Sequence, residues 1–87
     1  GLTRSLAPAY VEDGIRVNAI APGWIATEIS RGGRENPEFN DKLMMRLPNK
    51  RWADADELAG TAVFLASSAA SLINGVTIPV DGGYVAA

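Results

Sequence analysis

The sequence predicts an α/β chain in which two parallel strands, joined by a crossover helix and flanked by further helices, form the closing end of a larger doubly wound sheet. Three observations predict it. Apolar residues alternate over Ile15, Val17, Ala19 and Ala21, and again over Val76, Ile78 and Val80, which is the period-two pattern of strands. Between them, Leu58, Ala62, Leu65 and Ala69 recur at helical spacing. Finally, 47% of the 87 residues are apolar but fourteen of these are alanine, so the remaining bulk suffices for one small core at most.

The elements follow in order. Leu2, Leu6, Ala9 and Tyr10 share a helical face, and Gly14 stands where a C-terminal cap belongs. Pro8 lacks an N–H and is expected to bend this helix. In strand 15–21, Ile20 makes the second face partly apolar, as in a strand covered on both sides, and Pro22-Gly23 ends it. A short helical turn is expected after Thr27, broken at Gly32-Gly33. Asn36-Pro37 opens a second helix, with Phe39, Leu43, Met44 and Leu47 on one side, and Pro48 stops it. Residues from about 28 to 50 therefore read as an amphipathic insertion with a glycine hinge. Asp54 followed by Glu57 has capping-box spacing, and Ser67-Ser68 frays the end of the helix it opens. Asn74-Gly75 turns into strand 76–80, where Pro79 withholds a ladder donor and points to an edge position; Asp81-Gly82-Gly83 closes it. Strand, crossover helix and strand imply a parallel pair with a right-handed connection. Strand 15–21 then lacks an outer neighbour, so residues 1–87 read as one unit taken from the end of a bigger sheet.

Composition excludes several chemistries. Without cysteine there is no disulfide, thiolate nucleophile or Cys-ligated zinc, and without histidine no Ser-His-Asp site can be built from this chain. A net charge of −2 argues against nucleic acid as a partner, and no basic patch suggests a membrane surface. No apolar run approaches the roughly 20 residues a bilayer-spanning helix needs. The lack of cysteine fits a reducing compartment, and a cytoplasmic location is expected.

The run Gly14-Ile15-Arg16-Val17-Asn18-Ala19-Ile20-Ala21-Pro22-Gly23 with Thr27, and the run Gly75 to Gly83, resemble the short-chain dehydrogenase/reductase family. Between them, Arg51-Trp52, Asp56-Glu57-Leu58-Ala59 and Val63-Phe64-Leu65-Ala66-Ser67 match its penultimate helix region, and Gly1 to Ala7 resemble the segment after its Tyr-x-x-x-Lys. The resemblance implies the C-terminal third of a Rossmann-like NAD- or NADP-dependent oxidoreductase that interconverts alcohols and carbonyls of a small-molecule substrate. In that family a Tyr, its pKa lowered by the Lys, exchanges the proton and a Ser steadies the carbonyl. Those residues and the glycine-rich pyrophosphate turn find no match here: Tyr10 is followed four residues on by Gly14, and Tyr84 by three residues only. Arg51-Trp52 and Asn36 to Phe39 resemble members that handle sugar acids, with oxoacyl-thioester reductases still open.

The same resemblance assigns the cofactor-side loop to Pro22, Gly23, Ile25 and Thr27, and the substrate loop to Trp24, Phe39, Leu43 and Met44. In the family, backbone groups near Ile25 meet the nicotinamide carboxamide and the Thr27 hydroxyl reaches carboxamide or phosphate. On local chemistry alone, Pro22-Gly23 is a turn, Thr27 a helix cap, and the 37–47 stripe a packing face. Asp54, Asp56 and Glu57 read as capping residues rather than a carboxylate site. Arg51 and Trp52 are expected to form a cation–π or ion-paired corner beside the lid. The chain by itself is expected to bind no cofactor, to turn nothing over, and to associate into a dimer or larger assembly through its unpaired strand and apolar helix faces.

Overall fold

A computed structural model describes residues 1–86. Helix α1 (Leu2–Tyr10) contains Pro8 and runs into a 3-10 turn, Val11–Asp13. Gly14 caps this unit at φ 74°, its N–H donating to the Val11 carbonyl at 3.1 Å; a Cβ would strain this left-handed backbone.

Strand β1 (Ala19–Pro22) pairs in parallel with β4 (Thr77–Val80), Ile20 opposite Ile78 and Ala21 opposite Pro79. The two strands therefore run as the crossover pattern requires. The first strand is shorter than the alternation suggests: it starts at Ala19, not Ile15, and takes in Pro22. Over the preceding residues side chains supplement a single backbone bond, from Gly75 N–H to the Val17 carbonyl at 2.8 Å. The Val17 N–H donates to Asn74 Oδ1 at 3.0 Å, Asn18 Nδ2 donates to the Ile73 carbonyl at 3.0 Å, and the Val76 N–H donates to Asn18 Oδ1 at 3.1 Å. At the ends of the pair, Ala19 N–H donates to Val76 O at 2.9 Å and Gly23 N–H to Val80 O at 3.1 Å. In this register Ala19, Ala21 and Gly23 face β4, while Ile20 turns its N–H and carbonyl to the opposite edge. No strand among the described residues covers that edge. Pro79 sits where β4 needs no donor toward β1, so its missing N–H costs the pair nothing.

The insertion holds two helices. Helix α2 (Arg31–Glu35) passes through Gly32-Gly33, where the sequence suggests a break. Arg34 offsets the helix penalty of the glycines by donating to the Thr27 carbonyl at 2.7 Å and to Ser30 Oγ at 3.2 Å. Helix α3 (Pro37–Arg46) begins as expected, Asn36 Oδ1 accepting the Phe39 N–H at 3.2 Å. It ends at Leu47, held extended by the following Pro48. A second parallel pair, β2 (Ile25–Ala26) with β3 (Ala53–Asp54), has no counterpart in the periodicity. Helix α4 (Ala55–Ala66) opens on the Asp54/Glu57 capping box, the Glu57 carboxylate accepting the Asp54 N–H at 2.9 Å. Ser67 is extended and ends it before a 3-10 turn, Ser68–Ala70.

Apolar burial is thin. Among the described residues only Ala7, Leu43, Leu47 and Ala70 are buried apolar side chains, whereas Ile29 and Leu72 are almost wholly exposed. The radius of gyration is 15.9 Å, against about 12 Å for a compact domain of this length. Both facts fit a unit shaped to lean on a larger body. No helix among the described residues is long and apolar enough to cross a membrane.

Candidate functional site

The carboxyl ends of β1 and β4 meet at Gly23. A Cβ there would stand 2.7 Å from both Cα and Cβ of Asp81, so only glycine lets the two chain exits touch. Asp81 is fixed from its own side, its carboxylate accepting the Gly83 N–H at 3.0 Å and the Val85 N–H at 3.2 Å. Ala21, Pro22, Gly23, Trp24, Asp81, Tyr84 and Val85 line an open crevice of about 430 Å³ outside these strand ends. Open α/β sheets bind their ligands at such a place.

Beyond Gly23 the chain enters β2. Ala53 N–H donates to the Trp24 carbonyl at 2.9 Å, so in the parallel register Ala53 bonds on both sides of Ile25. Ile25 thus turns its own N–H and carbonyl to the edge away from β3. Thr27 is exposed and lies in a turn closed by Ser30: its N–H donates to Ser30 Oγ at 2.8 Å, and its Oγ1 accepts the Ser30 N–H at 3.4 Å. The cap of α2 is Ser30 rather than Thr27.

Trp24 is the hub of an aromatic cluster. Its ring makes edge contacts with Phe39 at 6.0 Å, Trp52 at 5.8 Å and Tyr84 at 6.4 Å between centroids. These contacts tie together the exit of β1, helix α3, the entry to β3 and the loop after β4. Of the predicted substrate-loop residues, Trp24, Phe39 and Leu43 line one groove of about 190 Å³ together with Lys42 and Arg46. Leu43 is buried at its floor, and Met44 is half-buried outside it.

The corner beside the lid is ion-paired. Arg51 grips Glu57 with both arms at 2.7 Å, and Trp52 Nε1 donates to Asn40 Oδ1 at 2.6 Å. The Arg51 guanidinium, helped by the Asp54 N–H, pulls the Glu57 carboxyl down to about 2, and the same pair raises Arg51. Sequence reasoning had no access to Tyr84, Asn40 and Arg46 as site neighbours; only the position of Tyr84 just after the Asp81-Gly82-Gly83 turn hints at the first. Among the described residues no His, Cys, Asp and Glu cluster could hold a metal ion.

A family model described as enoyl-(acyl carrier protein) reductase matches residues 1–85. The chain is 46% identical over 85 residues to the 2-dehydro-3-deoxy-D-gluconate 5-dehydrogenase of Bacillus subtilis, covering 98% of this chain and 34% of that enzyme. An NADP-bound structure from Agrobacterium tumefaciens, described as a candidate 2-deoxy-D-gluconate 3-dehydrogenase, superposes with a TM-score of 0.96 at 42% identity, over 100% of this chain and 35% of that one. A gluconate 5-dehydrogenase from Burkholderia cenocepacia, in complex with NADP and tartrate, gives 0.92 at 42% identity, over 99% and 34%. The chain spans about a third of the length of the curated relatives it matches.

Proposed function

The chain belongs to the short-chain dehydrogenase/reductase family whose model it matches, and from that premise we propose that it supplies the nicotinamide-side loop and the substrate lid of an NAD(P)-dependent oxidoreductase acting on sugar acids. One observation carries the reading: the exit of β1 leads through Gly23 straight to the open backbone edge at Ile25, with Trp24 holding helix α3 alongside. Pro22, Gly23, Ile25 and Thr27 suit the carboxamide end of the cofactor, because an N–H and a carbonyl on one open edge match an amide's acceptor and donor. When bound there, a nicotinamide cofactor would supply hydride-transfer chemistry, and these four residues would hold its carboxamide end. Trp24, Phe39, Leu43 and Met44 belong to the lid that excludes water. The sugar-acid assignment rests on the gluconate-type relatives. The lack of cysteine supports a cytoplasmic site of action.

The test is a chimera in which this chain replaces the matching third of the Burkholderia cenocepacia enzyme. NADP-dependent gluconate oxidation within about tenfold of the parent is expected, since the loop and lid are retained. A folded chimera that no longer binds NADP would overturn the proposal.

A second reading concerns the chain by itself, and the uncovered edge at Ile20 favours it. Beside that edge lies a trough of about 480 Å³ lined by residues including Arg16, Asn18 and Leu65, a place for another strand. In this reading the isolated chain is catalytically silent and associates with a second copy. Light scattering at micromolar concentration should give a dimer or larger species, and a sharp monomer mass argues against it. Stoichiometric NADPH oxidation by the mass-verified chain refutes the silence.

A further inference from the structure

We infer that Arg46 is the carboxylate-recognising residue of the lid groove, so that the substrate covered by helix α3 is an organic anion rather than a neutral polyol. The inference deepens the proposed function and rests on its assignment of Trp24 and α3 to the substrate side.

Arg51, beside the lid, is taken: both its arms grip Glu57. Of the other cations only Arg4, on α1, also lacks a partner among the described residues. Arg31 pairs with Glu28 at 2.9 Å, Arg34 donates to Thr27 and Ser30, Arg16 donates to the Leu65 carbonyl at 2.8 Å, and Lys50 to the Met44 carbonyl at 2.8 Å. Within the groove itself, Lys42 is 3.4 Å from Glu38. Arg46 has neither a carboxylate nor a hydrogen-bond acceptor among the described residues. Its guanidinium lies 5.6 Å from the centre of the Tyr84 ring, a cation–π contact that uses none of its N–H groups and leaves them free to fork onto a carboxylate.

Position agrees with this role. Phe39, Lys42, Leu43 and Arg46 stand at i, i+3, i+4 and i+7 of α3 and so share the face that meets Trp24. Trp24 in turn is one residue from the strand exit at Gly23. A carboxylate at Arg46 would lie against aromatic and aliphatic walls, where an ion pair is worth more than in open water.

The test is an NMR titration of the chimera described above, 15N-labelled at arginine and tryptophan, following Arg46 Nε and Trp24 Nε1 with D-gluconate and D-sorbitol at matched ionic strength. Gluconate should shift both signals saturably and sorbitol should not. R46Q should weaken gluconate binding about ten- to a hundredfold, R46K should lose part of it, and R4Q on the far side of the chain should lose none. Equal responses to acid and polyol, or R46Q binding as the parent does, overturn the assignment of Arg46 while leaving the lid in place. If neither compound moves Trp24, the lid reading falls and the inference with it. R46K retains the charge and keeps the comparison valid should R46Q prove unstable.

Discussion

Replacing Gly23 with alanine isolates the contact on which the strand-exit crevice depends. The new methyl carbon would stand 2.7 Å from Cα and Cβ of Asp81 and 3.3 Å from its carbonyl oxygen. An ordinary carbon–carbon contact begins near 3.5 Å, so the two chain exits must separate by most of an ångström. Asp81 cannot swing aside cheaply, because its carboxylate is committed to the Gly83 and Val85 N–H groups. Overpacking of this kind costs about 1–3 kcal/mol. Gly60 provides the opposite case within the same chain: it lies inside α4 and a Cβ there meets nothing within 4 Å. Gly60→Ala should stabilise by about 0.5–1 kcal/mol through helix propensity and a less flexible unfolded chain. Urea denaturation followed by the fluorescence of Trp24 and Trp52 should therefore move in opposite directions for G23A and G60A. Equal midpoints, or G23A at or above the parent, would refute the close approach of the two strand exits.

Three further outcomes follow from the same geometry. Glu57 titrates at about 2 in the folded chain against an ordinary 4.5, so its contribution is present above pH 4.5 and is lost as pH falls toward 2; E57Q should flatten the urea midpoint across that window and leave the rest of the profile alone. Leu43→Ala at the floor of the lid should cost about 2–4 kcal/mol and speed amide exchange over residues 37–46, whereas Met45→Ala, 80% exposed, should stay within about 0.5 kcal/mol. Asn18 both donates to Ile73 O and accepts from Val76 N, so Asn18→Asp should lose about 1–3 kcal/mol at pH 7, where it cannot donate, and recover part of that below pH 4, as thermal unfolding at the two pH values can show.

What could be read from the sequence is what local chemistry decides. Gly14 ends the first helical unit, Asn36-Pro37 starts the lid helix, and Asp54 with Glu57 starts α4, because each uses side chains a few residues apart. The parallel β1–β4 pair follows from a strand, a crossover and a strand. The errors also have local causes. Alternation at Ile15 and Val17 looks like strand, but Asn18 and Asn74 occupy the hydrogen-bonding positions that a ladder would need. Gly32-Gly33 looks like a break, but Arg34 reaches back to Thr27 across it. The β2–β3 pair is two residues long on each side, shorter than any period can reveal. The site's other half was hidden because Trp24, Trp52 and Tyr84 meet across sixty residues of chain, and spacing carries no information about such contacts.

These local devices explain how a unit with four buried apolar residues among the described residues can hold a shaped site. Hydrophobic burial on this scale accounts for only part of that shape, and the outline is elongated. The loop and lid are fixed instead by short-range links: Asn36 on Phe39, Asn40 on Trp52, Arg51 on Glu57, Asp81 on its own turn, and three ring contacts on Trp24. Such links depend little on what packs against the far side of the sheet. The loop after Gly23, proposed above to face the nicotinamide, can therefore keep its form while the edge at Ile20 and the exposed faces of α1 and α4 stay open to packing. If the proposed roles hold, substitutions at Arg46 should alter which ligand is chosen, and substitutions along Ile20 and Leu65 should alter whether the unit docks at all.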